Sequence, residues 1–337
     1  MKLKTKKILV TGGASFIGSH LVDALVKLGC SIRVADNFSS GRQENIGQHI
    51  KHKTIELLEG DLRESGFTRR AVKGIDLVFH LAANHGGRGY IDRHQSGPAT
   101  NLLLDSQVFF ESIKSGVEKI VYASSACVYP VSLQQNRNKK VKLVESMVRP
   151  PFEADNMYGW AKLMGELSLK NFSQEFGIKT VSCRYFSVYG PRGLESHSIM
   201  AMIAKAFIKQ NPYEIWGNGN QIRNWTYVSD IVNGTLLAAE KIEDGSAVNL
   251  GTTEAISVIQ AVRLILNRVD YHPEIKYLFD MPVGPTNRVA DNQLAFKKLG
   301  WKPSVKFSSG INETINWYFS HKSPVQVKKI LKNESSV

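Results

Sequence analysis

The stretch that indicates the fold is Ile8-Leu9-Val10-Thr11-Gly12-Gly13-Ala14-Ser15-Phe16-Ile17-Gly18. It begins with apolar, partly β-branched residues, and Ile17, Leu21 and Leu25 then recur at helical spacing. The pattern predicts a strand, a glycine turn and a helix. Glycine at position 12 permits a tight turn, and glycine at position 18 permits the helix to pack closely on the strand. The amino end of such a helix faces a pyrophosphate in dinucleotide-binding proteins.

The glycine turn departs from the Gly-x-x-Gly-x-x-Gly form because Ser15 occupies the middle position. We expect a side chain this small to let a phosphate approach. Asp36 ends the second predicted strand, about 20 residues further on, where an acid binds the adenosine ribose hydroxyls and disfavours a 2′-phosphate. The motif therefore predicts an NAD site, and a glycine turn without a cofactor is the remaining alternative.

Short β-branched runs alternate with amphipathic segments through the first half of the chain. We predict strands at 8–10, 31–35, 54–58, 77–81, 119–123 and 180–185, and a helix at 17–28. This alternation is typical of an α/β fold with a Rossmann-type, doubly wound parallel sheet. We expect the NAD-binding domain to span 1–190, with a return near 225–255 that carries a strand at 247–250. A smaller, discontinuous α/β lobe is expected over 191–320, and a frayed basic tail over 321–337.

Composition limits the class of protein. The 337 residues are 42% hydrophobic and 22% charged, as in ordinary soluble globular proteins. The sequence has neither an apolar run of about 18 residues nor the pattern of a signal peptide, so we expect a cytoplasmic protein without membrane association. Cys30, Cys127 and Cys183 are too few and too scattered for a disulfide framework or a zinc site. We therefore expect no metal.

The net charge of +13 raises the question of nucleic-acid binding. The basic residues cluster at 2–7, 137–142 and 322–332, and no nucleic-acid-binding motif accompanies them. Solvated basic segments that attract an anionic, phosphorylated substrate explain the charge more simply. We expect no nucleic-acid partner.

Tyr158 and Lys162 stand four positions apart, so on a helix both side chains point to one face. A lysine ammonium beside a phenol lowers the phenol pKa from about 10 towards neutrality, and NAD⁺ adds positive charge. The tyrosine could then remove a hydroxyl proton while a hydride leaves to the nicotinamide. A packed tyrosine with an exposed lysine is the alternative. Ser125 ends a predicted strand about 30 residues earlier, where its hydroxyl could polarise the reacting oxygen.

The ordered motifs resemble those of the extended short-chain dehydrogenases over roughly residues 7–318. They lie at 11–18, 36–41, 60–62, 80–83, 124–125, 158–162, 189–191 and 223–230. The resemblance implies a Rossmann domain that binds NAD, a C-terminal lobe that binds a nucleotide-diphosphate sugar, and a homodimer. The cofactor-binding residues that we assign are Gly12, Ser15, Phe16, Ile17, Gly18, Asp36, Asn37, Asp61, Leu62, Ala82, Ala83, Tyr158 and Lys162. The substrate-binding residues are Gly87, Arg88, Arg223 and Arg288.

The residues after the catalytic serine differ between members of this family. The 4,6-dehydratases carry an acid pair there, whereas this chain has Ser125-Ala126-Cys127-Val128-Tyr129-Pro130, so dehydration is disfavoured. Cys127 and the loop at 83–91 resemble the GDP-mannose 3,5-epimerase family. Ser196-His197 instead resembles the GDP-fucose synthase family. Both resemblances imply that Cys127 is an acid–base group. The partner group is a lysine in the epimerase family and a histidine in the synthase family, so the second resemblance implies that His197 is the partner here. Both residues join Ser125, Tyr158 and Lys162 as predicted catalytic residues.

The chemistry agrees with these residue types. Once C4 of a sugar is a ketone, the hydrogens at C3 and C5 become acidic, and inversion needs a base on one face and an acid on the other. A thiol of pKa about 8.5 and an imidazole of pKa about 6.5 both exchange protons near neutral pH. We therefore predict an NAD-dependent nucleotide-sugar epimerase that acts through a transient 4-keto intermediate and most resembles GDP-mannose 3,5-epimerase.

Alternatives remain at this point. A 4-epimerase of UDP-glucose or UDP-glucuronate would need only Ser125, Tyr158 and Lys162, and a nucleotide-sugar 4-oxidoreductase or dehydratase would change the sugar's oxidation state or release water. A cofactor-sensing regulator is the alternative outside enzymology. Cys127 could be a small buried hydrophobe, His197 a surface residue, and Arg288 a member of a surface salt bridge. Arginine nevertheless suits bidentate binding of a diphosphate.

Overall fold

The computed structural model describes residues 3–135 and 141–336, with side chains described as far as residue 332. The basic residues Arg137, Lys139 and Lys140 lie outside the described residues. The strands are β1 Lys7–Thr11, β2 Ser31–Asp36, β3 Glu56–Glu59, β4 Leu77–His80, β5 Lys119–Ser125, β6 Lys142–Leu143, β7 Lys179–Tyr185, β8 Val188–Tyr189, β9 Tyr213–Trp216, β10 Ile222–Arg223, β11 Thr226–Tyr227, β12 Asp244–Leu250, β13 Ile256–Ser257, β14 Ile275–Leu278 and β15 Asn287–Ala290. The helices are α1 Phe16–Lys27, α2 Gly47–Lys51, α3 Ser65–Val72, α4 Arg88–Arg93, α5 Ser96–Ala99, α6 Asn101–Lys114, α7 Asn156–Phe176, α8 Ser198–Phe207, α9 Val228–Lys241, α10 Val258–Arg268, α11 Gln293–Leu299, α12 Phe307–His321 and α13 Pro324–Ser336.

A seven-stranded sheet forms the centre of the molecule. Its strand order is β12-β7-β5-β4-β1-β2-β3, and every neighbouring pair is parallel. The order changes direction between β1 and β4, and ligands of doubly wound sheets bind outside the carboxyl ends of the strands at that point. The predicted Rossmann-type fold is confirmed, and β12 returns to the sheet beside β7 as the sequence predicts.

Successive side chains of β1 point to opposite faces of this sheet, and both faces are covered by helices. Ile8 and Val10 pack in one core cluster with Leu25 of α1, whereas Leu9 packs in another with Phe109 of α6. All of these side chains are almost fully buried. Helices α1, α9 and α11 contribute to the first cluster, and α3, α6 and α7 to the second. A strand buried on both faces is expected to carry consecutive apolar residues, as β1 does at Ile8, Leu9 and Val10.

A smaller C-terminal lobe follows the sheet. It contains a four-stranded sheet of order β13-β10-β15-β6, and a third cluster of apolar side chains joins α8, α10, α12 and α13. The tail expected to fray instead forms α13, because Val327 is fully buried in that cluster. Within the described ranges, no helix combines the length and the apolar composition needed to cross a membrane.

Candidate functional site

The turn between β1 and α1 has no room for side chains at two glycines. Gly12 has φ +67°, and a Cβ there would lie 2.9 Å from the backbone nitrogen of Ala82. A Cβ on Gly18 would lie 2.1 Å from the carbonyl oxygen of Gly12. Ser15 precedes α1, and its hydroxyl donates to the same carbonyl over 2.5 Å. Ser15 therefore helps to close the turn, and the free N–H groups of the first helical turn, which begins with Phe16 and Ile17, are left for a ligand.

Asp36 ends β2 and is 6% exposed. Its Oδ2 accepts from the backbone N–H of Ala14 and its Oδ1 from that of Phe38, both over 2.9 Å. Burial raises the pKa of Asp36, and these backbone hydrogen bonds act against that rise. A carboxylate has about four acceptor positions, so two remain for other donors. This arrangement suits the predicted contact with ribose hydroxyls.

Three other predicted cofactor-binding residues differ in the groups that they offer to a ligand. Arg63 donates to both carboxylate oxygens of Asp61, and these hydrogen bonds hold the pKa of Asp61 below its usual range. Leu62 is 4% exposed, so only its backbone is available. Asn37 is exposed, and its side-chain oxygen accepts from the N–H of Ser39 over 3.0 Å.

Buried hydrogen bonds fix the loop that follows β4. The N–H of Ala82 donates inward to the hydroxyl of Thr11 over 3.1 Å. Ala83 is half-buried, and the next residue, Asn84, exchanges two hydrogen bonds with Asn101 at the start of α6 (2.7 and 2.9 Å). The loop therefore enters the carboxyl edge of the sheet in a defined position.

The predicted catalytic serine, cysteine and tyrosine come together at the end of β5. Ser125 ends the strand, and its hydroxyl accepts from the N–H of Cys127 over 3.2 Å. The hydroxyl of Tyr158 on α7 interacts with that of Ser125, which acts to lower the pKa of the tyrosine. A Cβ on Gly159 would lie 2.3 Å from the carbonyl oxygen of Cys127, so this glycine lets α7 contact the turn directly.

Tyr158 and Lys162 share a helix, but the lysine lies nearer to another tyrosine. Its Nζ is 4.5 Å from the ring centroid of Tyr122 and 6.0 Å from that of Tyr158. Burial raises the pKa of Tyr158, the charge of Cys127 raises it further, and the hydrogen bond with Ser125 lowers it. Burial also lowers the pKa of Lys162. The side chains of the chain alone therefore keep the phenol protonated at neutral pH.

His197 lies at the amino end of α8 beside a second histidine, His85, that the sequence analysis did not assign to the site. The two rings are T-shaped with centroids 5.5 Å apart. Burial lowers the pKa of both, and in His85 His197 and Lys162 add to the effect, which brings its pKa to about 3. Both imidazoles are thus neutral at neutral pH. A Cβ on Gly87 would lie 1.7 Å from the carbonyl oxygen of Ser196, so only glycine allows these two loops to meet.

The three predicted substrate-binding arginines form one basic cluster. Arg223 on β10 and Arg288 on β15 are register partners in adjacent parallel strands. Arg88 and Arg288 both donate to Asp155, over 2.8 and 2.7 Å. Burial would raise the pKa of Asp155, but the two guanidinium groups outweigh it and lower that pKa. Burial and the two other arginines lower the pKa of Arg223 to about 9, as expected where cations crowd together.

Arg288 connects this cluster to the predicted acid–base cysteine. Its Nη1 donates to the sulfur of Cys127 over 3.3 Å, and its Nε donates to the side-chain oxygen of Gln134 over 2.6 Å. Burial acts to lower the pKa of Arg288, but Cys127 and Asp155 outweigh burial and raise that pKa. Gln134 and Asp155 were missed because neither belongs to a motif, and the arginine that they contact lies more than 130 positions away in the chain.

The loop that carries His197 is held from the C-terminal side. Glu195 is 2% exposed and accepts from the hydroxyl of Tyr318 over 2.9 Å. Lys322 forms an ion pair with the same carboxylate at 3.1 Å. The position of His197 therefore depends on residues of α12 and of the turn after it.

Cys30 and Cys183 are buried and free, like Cys127. In the part of the chain that the structure describes, no three His, Cys, Asp or Glu side chains are grouped so that they could hold a metal ion.

Comparison with known proteins agrees with this geometry. The profile of the NAD-dependent epimerase/dehydratase family matches residues 8–251. GDP-mannose 3,5-epimerase 1 of Oryza sativa subsp. japonica is 31% identical over 316 residues, which cover 92% of this chain and 81% of the rice protein. The UDP-glucose 4-epimerase of Thermotoga maritima, solved with UDP-glucose, is 30% identical with a TM-score of 0.83, covering 93% of this chain and 98% of that one. The UDP-glucuronic acid 4-epimerase of Bacillus cereus, solved with NAD and UDP-glucuronic acid, is 26% identical with a TM-score of 0.83, covering 96% and 99%.

Proposed function

The chain belongs to the NAD-dependent epimerase/dehydratase family, and on that premise we propose that it inverts stereocentres of a nucleotide-diphosphate sugar through a transient 4-keto intermediate. The reaction that we infer most resembles that of GDP-mannose 3,5-epimerase. Its cofactor is NAD. The proposal assigns hydride chemistry to C4 of the sugar and proton exchange to the carbons on either side of C4.

The residues of the turn fit NAD. Gly12 and Gly18 form a cradle that an added Cβ would fill, and the amino end of α1 opens onto it. Asp36 keeps free acceptor positions for ribose hydroxyls, and a carboxylate there repels a 2′-phosphate. Bound NAD supplies the reversible removal and return of a hydride at C4, and its oxidised ring adds the positive charge that Tyr158 needs to lose a proton.

Tyr158 exchanges the proton of the C4 hydroxyl in this proposal, and Ser125 holds the same oxygen. The interaction between the two hydroxyls, through which Ser125 acts to lower the pKa of Tyr158, supports these roles because it brings both groups to the same place. The charge of Lys162 favours the phenolate form of Tyr158. A positioned general base of this kind accelerates a reaction by about 10² to 10⁴.

Cys127 and His197 exchange the protons at C3 and C5 in this proposal. They come from different elements, the turn after β5 and the amino end of α8. Because the pKa of His197 is lowered, its imidazole is neutral and able to accept a proton at neutral pH. His85 lies edge-on to it and offers a second neutral imidazole at the same place.

The basic cluster binds the diphosphate in this proposal. Arg88, Arg223 and Arg288 carry three positive charges, and the carboxylates paired with them are those of Asp92 and Asp155. One positive charge is left over. Arg223 donates only to backbone carbonyls in the structure, so its guanidinium is the one without an acidic partner among the described residues.

The single observation that carries the 3,5-epimerase reading is the contact between Arg288 and Cys127. Inversion at C4 by hydride transfer has no use for a thiol. Here the thiol is held at the end of β5, beside Tyr158, and receives a hydrogen bond from a guanidinium of the basic cluster. Electropositive surroundings of this kind are a recognised feature of reactive cysteines.

The test is incubation in D₂O with GDP-mannose, UDP-glucose and UDP-glucuronate in turn, read by mass spectrometry and proton NMR. Deuterium at C3 or C5 without net formation of NADH supports the proposal. Net NADH, or loss of water from the sugar, would replace it with an oxidoreductase or a dehydratase.

A 4-epimerase of a UDP-linked sugar is the second candidate. The observation in its favour is the similarity to the Thermotoga maritima enzyme, which equals the similarity to the rice enzyme within 1% identity. In the same experiment a changed configuration at C4 without deuterium incorporation would establish it, and Cys127 and His197 would then have no part in the reaction.

We also propose that the protein is a homodimer. Helices α6 and α7 pack against each other and expose apolar side chains, each between 39% and 54% accessible: Leu102, Leu103, Phe110, Trp160 and Met164. A two-fold axis would bury this face in a four-helix bundle. We expect wild-type protein to elute as a dimer in size-exclusion chromatography with light scattering and Phe110→Glu to elute as a monomer. A monomeric wild type would contradict this proposal alone.

A further inference from the structure

A chain of buried hydrogen bonds runs from the cofactor turn towards the catalytic lysine. The hydroxyl of Thr11 lies 2.8 Å from Nδ1 of His80, and Nε2 of His80 lies 3.0 Å from Oδ1 of Asp105. Tyr122 donates its hydroxyl proton to Oδ2 of the same aspartate. All four side chains are at most 3% exposed. None of them belongs to the catalytic or binding residues assigned above.

The hydrogen bonds of Thr11 determine the protonation state of His80. The Thr11 hydroxyl accepts from the N–H groups of Leu81 and Ala82, both over 3.1 Å. Its own proton then needs an acceptor, because a buried hydroxyl proton without one is costly. Among the described residues that acceptor is Nδ1 of His80. His80 is therefore neutral, and its remaining proton sits on Nε2 and points at Asp105.

The other end of the chain determines the state of Asp105. Burial raises the pKa of Tyr122, and the charge of Asp105 raises it further, so the phenol keeps its proton. That proton is donated to Asp105. The aspartate thus receives two hydrogen bonds, from Tyr122 and from neutral His80, and has no proton of its own to place. It carries a full negative charge that His80 does not neutralise.

Lys162 is the cation that faces this charge. Its Nζ lies 4.5 Å from the ring centroid of Tyr122, the residue whose hydroxyl is bound to Asp105. Donation to a carboxylate makes a phenol ring more electron-rich, which strengthens its attraction for a cation. Within the described ranges, no acceptor forms a hydrogen bond with Nζ. Electrostatic interactions with groups that are not hydrogen-bonded to it therefore balance the charge of Lys162.

The other groups near Lys162 do not replace Asp105. Glu166, one helical turn away, also raises the pKa of Lys162, but less than Asp105 does. Arg184 holds the Glu166 carboxylate in a bidentate ion pair at 2.7 Å. His85 and Tyr158 also face the lysine, and both are uncharged at neutral pH because burial lowers the pKa of the histidine and raises that of the tyrosine. Asp105 is consequently the carboxylate that does most to keep Lys162 charged.

We propose that Asp105 is the counter-ion of Lys162 and keeps the lysine charged from the far side of the Tyr122 ring. It is a positioning residue: it acts on the reaction through Lys162 and touches neither substrate nor cofactor. The inference rests on the proposed function only in that it treats Lys162 as the group that assists Tyr158. It also connects the cofactor loop to catalysis, since Thr11 binds Ala82 at one end of the same chain of hydrogen bonds.

The direct test measures the ionisation of Lys162 itself. Protein labelled with ¹³C-lysine and saturated with NAD is titrated by NMR, and Lys162→Arg identifies the signal. Asp105→Asn should lower the pKa of Lys162, because the burial that opposes its charge is then uncompensated. The matched control is Glu111→Gln on the same helix, a buried carboxylate paired with Arg69, which should leave that pKa unchanged. Equal titration of Lys162 in wild type and Asp105→Asn overturns the proposal.

A measurement on wild-type protein covers the case in which Asp105→Asn fails to fold. The ¹⁵N shifts of His80 should report a neutral ring protonated on Nε2 at neutral pH. A ring protonated on both nitrogens would neutralise Asp105 and refute the inference.

Kinetics separates this proposal from the proposed function. With active wild-type enzyme, Asp105→Asn should move the ascending limb of the pH–rate profile to higher pH and reduce kcat near pH 7 about tenfold, while Glu111→Gln does neither. A purely structural defect would lower kcat at every pH. If wild type is inactive on every sugar tested but Lys162 still titrates as expected, the counter-ion stands and the proposed function fails.

Discussion

The two ends of the proposed active site are built on opposite principles. At the cofactor end, consecutive residues of one turn form the site, and Gly12 and Gly18 contribute by having no side chain. At the sugar end, long charged side chains from distant segments meet, and Asp155 holds Arg88 and Arg288 in place. Substitutions at the cofactor end should therefore act by steric clash, and those at the sugar end by a change in charge.

The largest effect is expected at the sugar end from Cys127→Ser. If Cys127 exchanges a ring proton, deuterium incorporation at C3 or C5 should fall by about 10² to 10⁴, the usual contribution of a general acid–base group. Hydride exchange at C4 should continue, because Ser125 and Tyr158 are untouched. Cys30→Ser, at another buried free cysteine, serves as the control. Retention of deuterium incorporation in Cys127→Ser would remove the thiol from the mechanism.

At the cofactor end, Gly18→Ala should weaken NAD binding. The new Cβ would lie 2.1 Å from a backbone oxygen, which cannot move aside as a flexible side chain would. A cost of about 3 kcal/mol is typical of severe overpacking and corresponds to roughly 150-fold in Kd. Isothermal titration calorimetry measures it. Gly47→Ala, where nothing lies within 4 Å of the added atom, should bind NAD like wild type. If both variants bound NAD with equal affinity, the cofactor site would not depend on the absence of a side chain at Gly18.

Two arginines at the sugar end should behave differently although they are register partners. Arg223→Gln should raise KM about tenfold with little change in kcat, since a hydrogen bond to a charged group contributes about 1.5 kcal/mol. Arg288→Gln should lower kcat as well, because Arg288 also contacts Cys127. Steady-state kinetics of the two variants under identical conditions separates these outcomes. The same pattern in both would mean that the contact with the thiol is incidental.

The smallest effect concerns stability against pH. Burial lowers the pKa of His85 from its ordinary 6.5 to about 3, so between these values the unfolded chain binds a proton that the folded chain does not. The contribution of neutral His85 to the free energy of unfolding is therefore fully present above pH 6.5 and declines as the pH falls towards 3. His85→Gln should lose less stability than wild type between about pH 7.5 and about pH 5 in urea unfolding. Exposed His52→Gln should decline in parallel with wild type.

The same contrast explains what could be predicted from the sequence. The strands, the glycine turn and the pair Tyr158 and Lys162 are encoded by residues close together in the chain, and the predicted fold is correct. The contacts that hold Arg288 are not local: Asp155 is 133 positions away from it and Gln134 is 154. Neither a periodic pattern nor a motif in the sequence indicates contacts between residues so far apart in the chain.

His85 and Asp105 were missed for a related reason. His85 lies in a segment that the sequence analysis matched to a family loop, but its partner His197 is on another loop, and only the glycine at position 87 lets the two meet. Asp105 looks like one polar residue on an amphipathic helix. Its role depends on contacts with His80 of β4 and Tyr122 of β5, which are not close to it in the chain. The helical tail was missed because its apolar residues, such as Val327 and Leu331, stand among lysines and pack against helices that are distant in the chain.

The hold on Glu195 has a consequence for the order of events during synthesis. Its partner Tyr318 follows Glu195 by 123 positions, so Tyr318 is synthesised after every strand of the parallel sheet. The dinucleotide turn precedes both residues, and domains generally begin to fold from the amino end. A nascent chain should thus form its cofactor turn before it fixes the position of His197, which delays reactive chemistry until Tyr318 has left the ribosome.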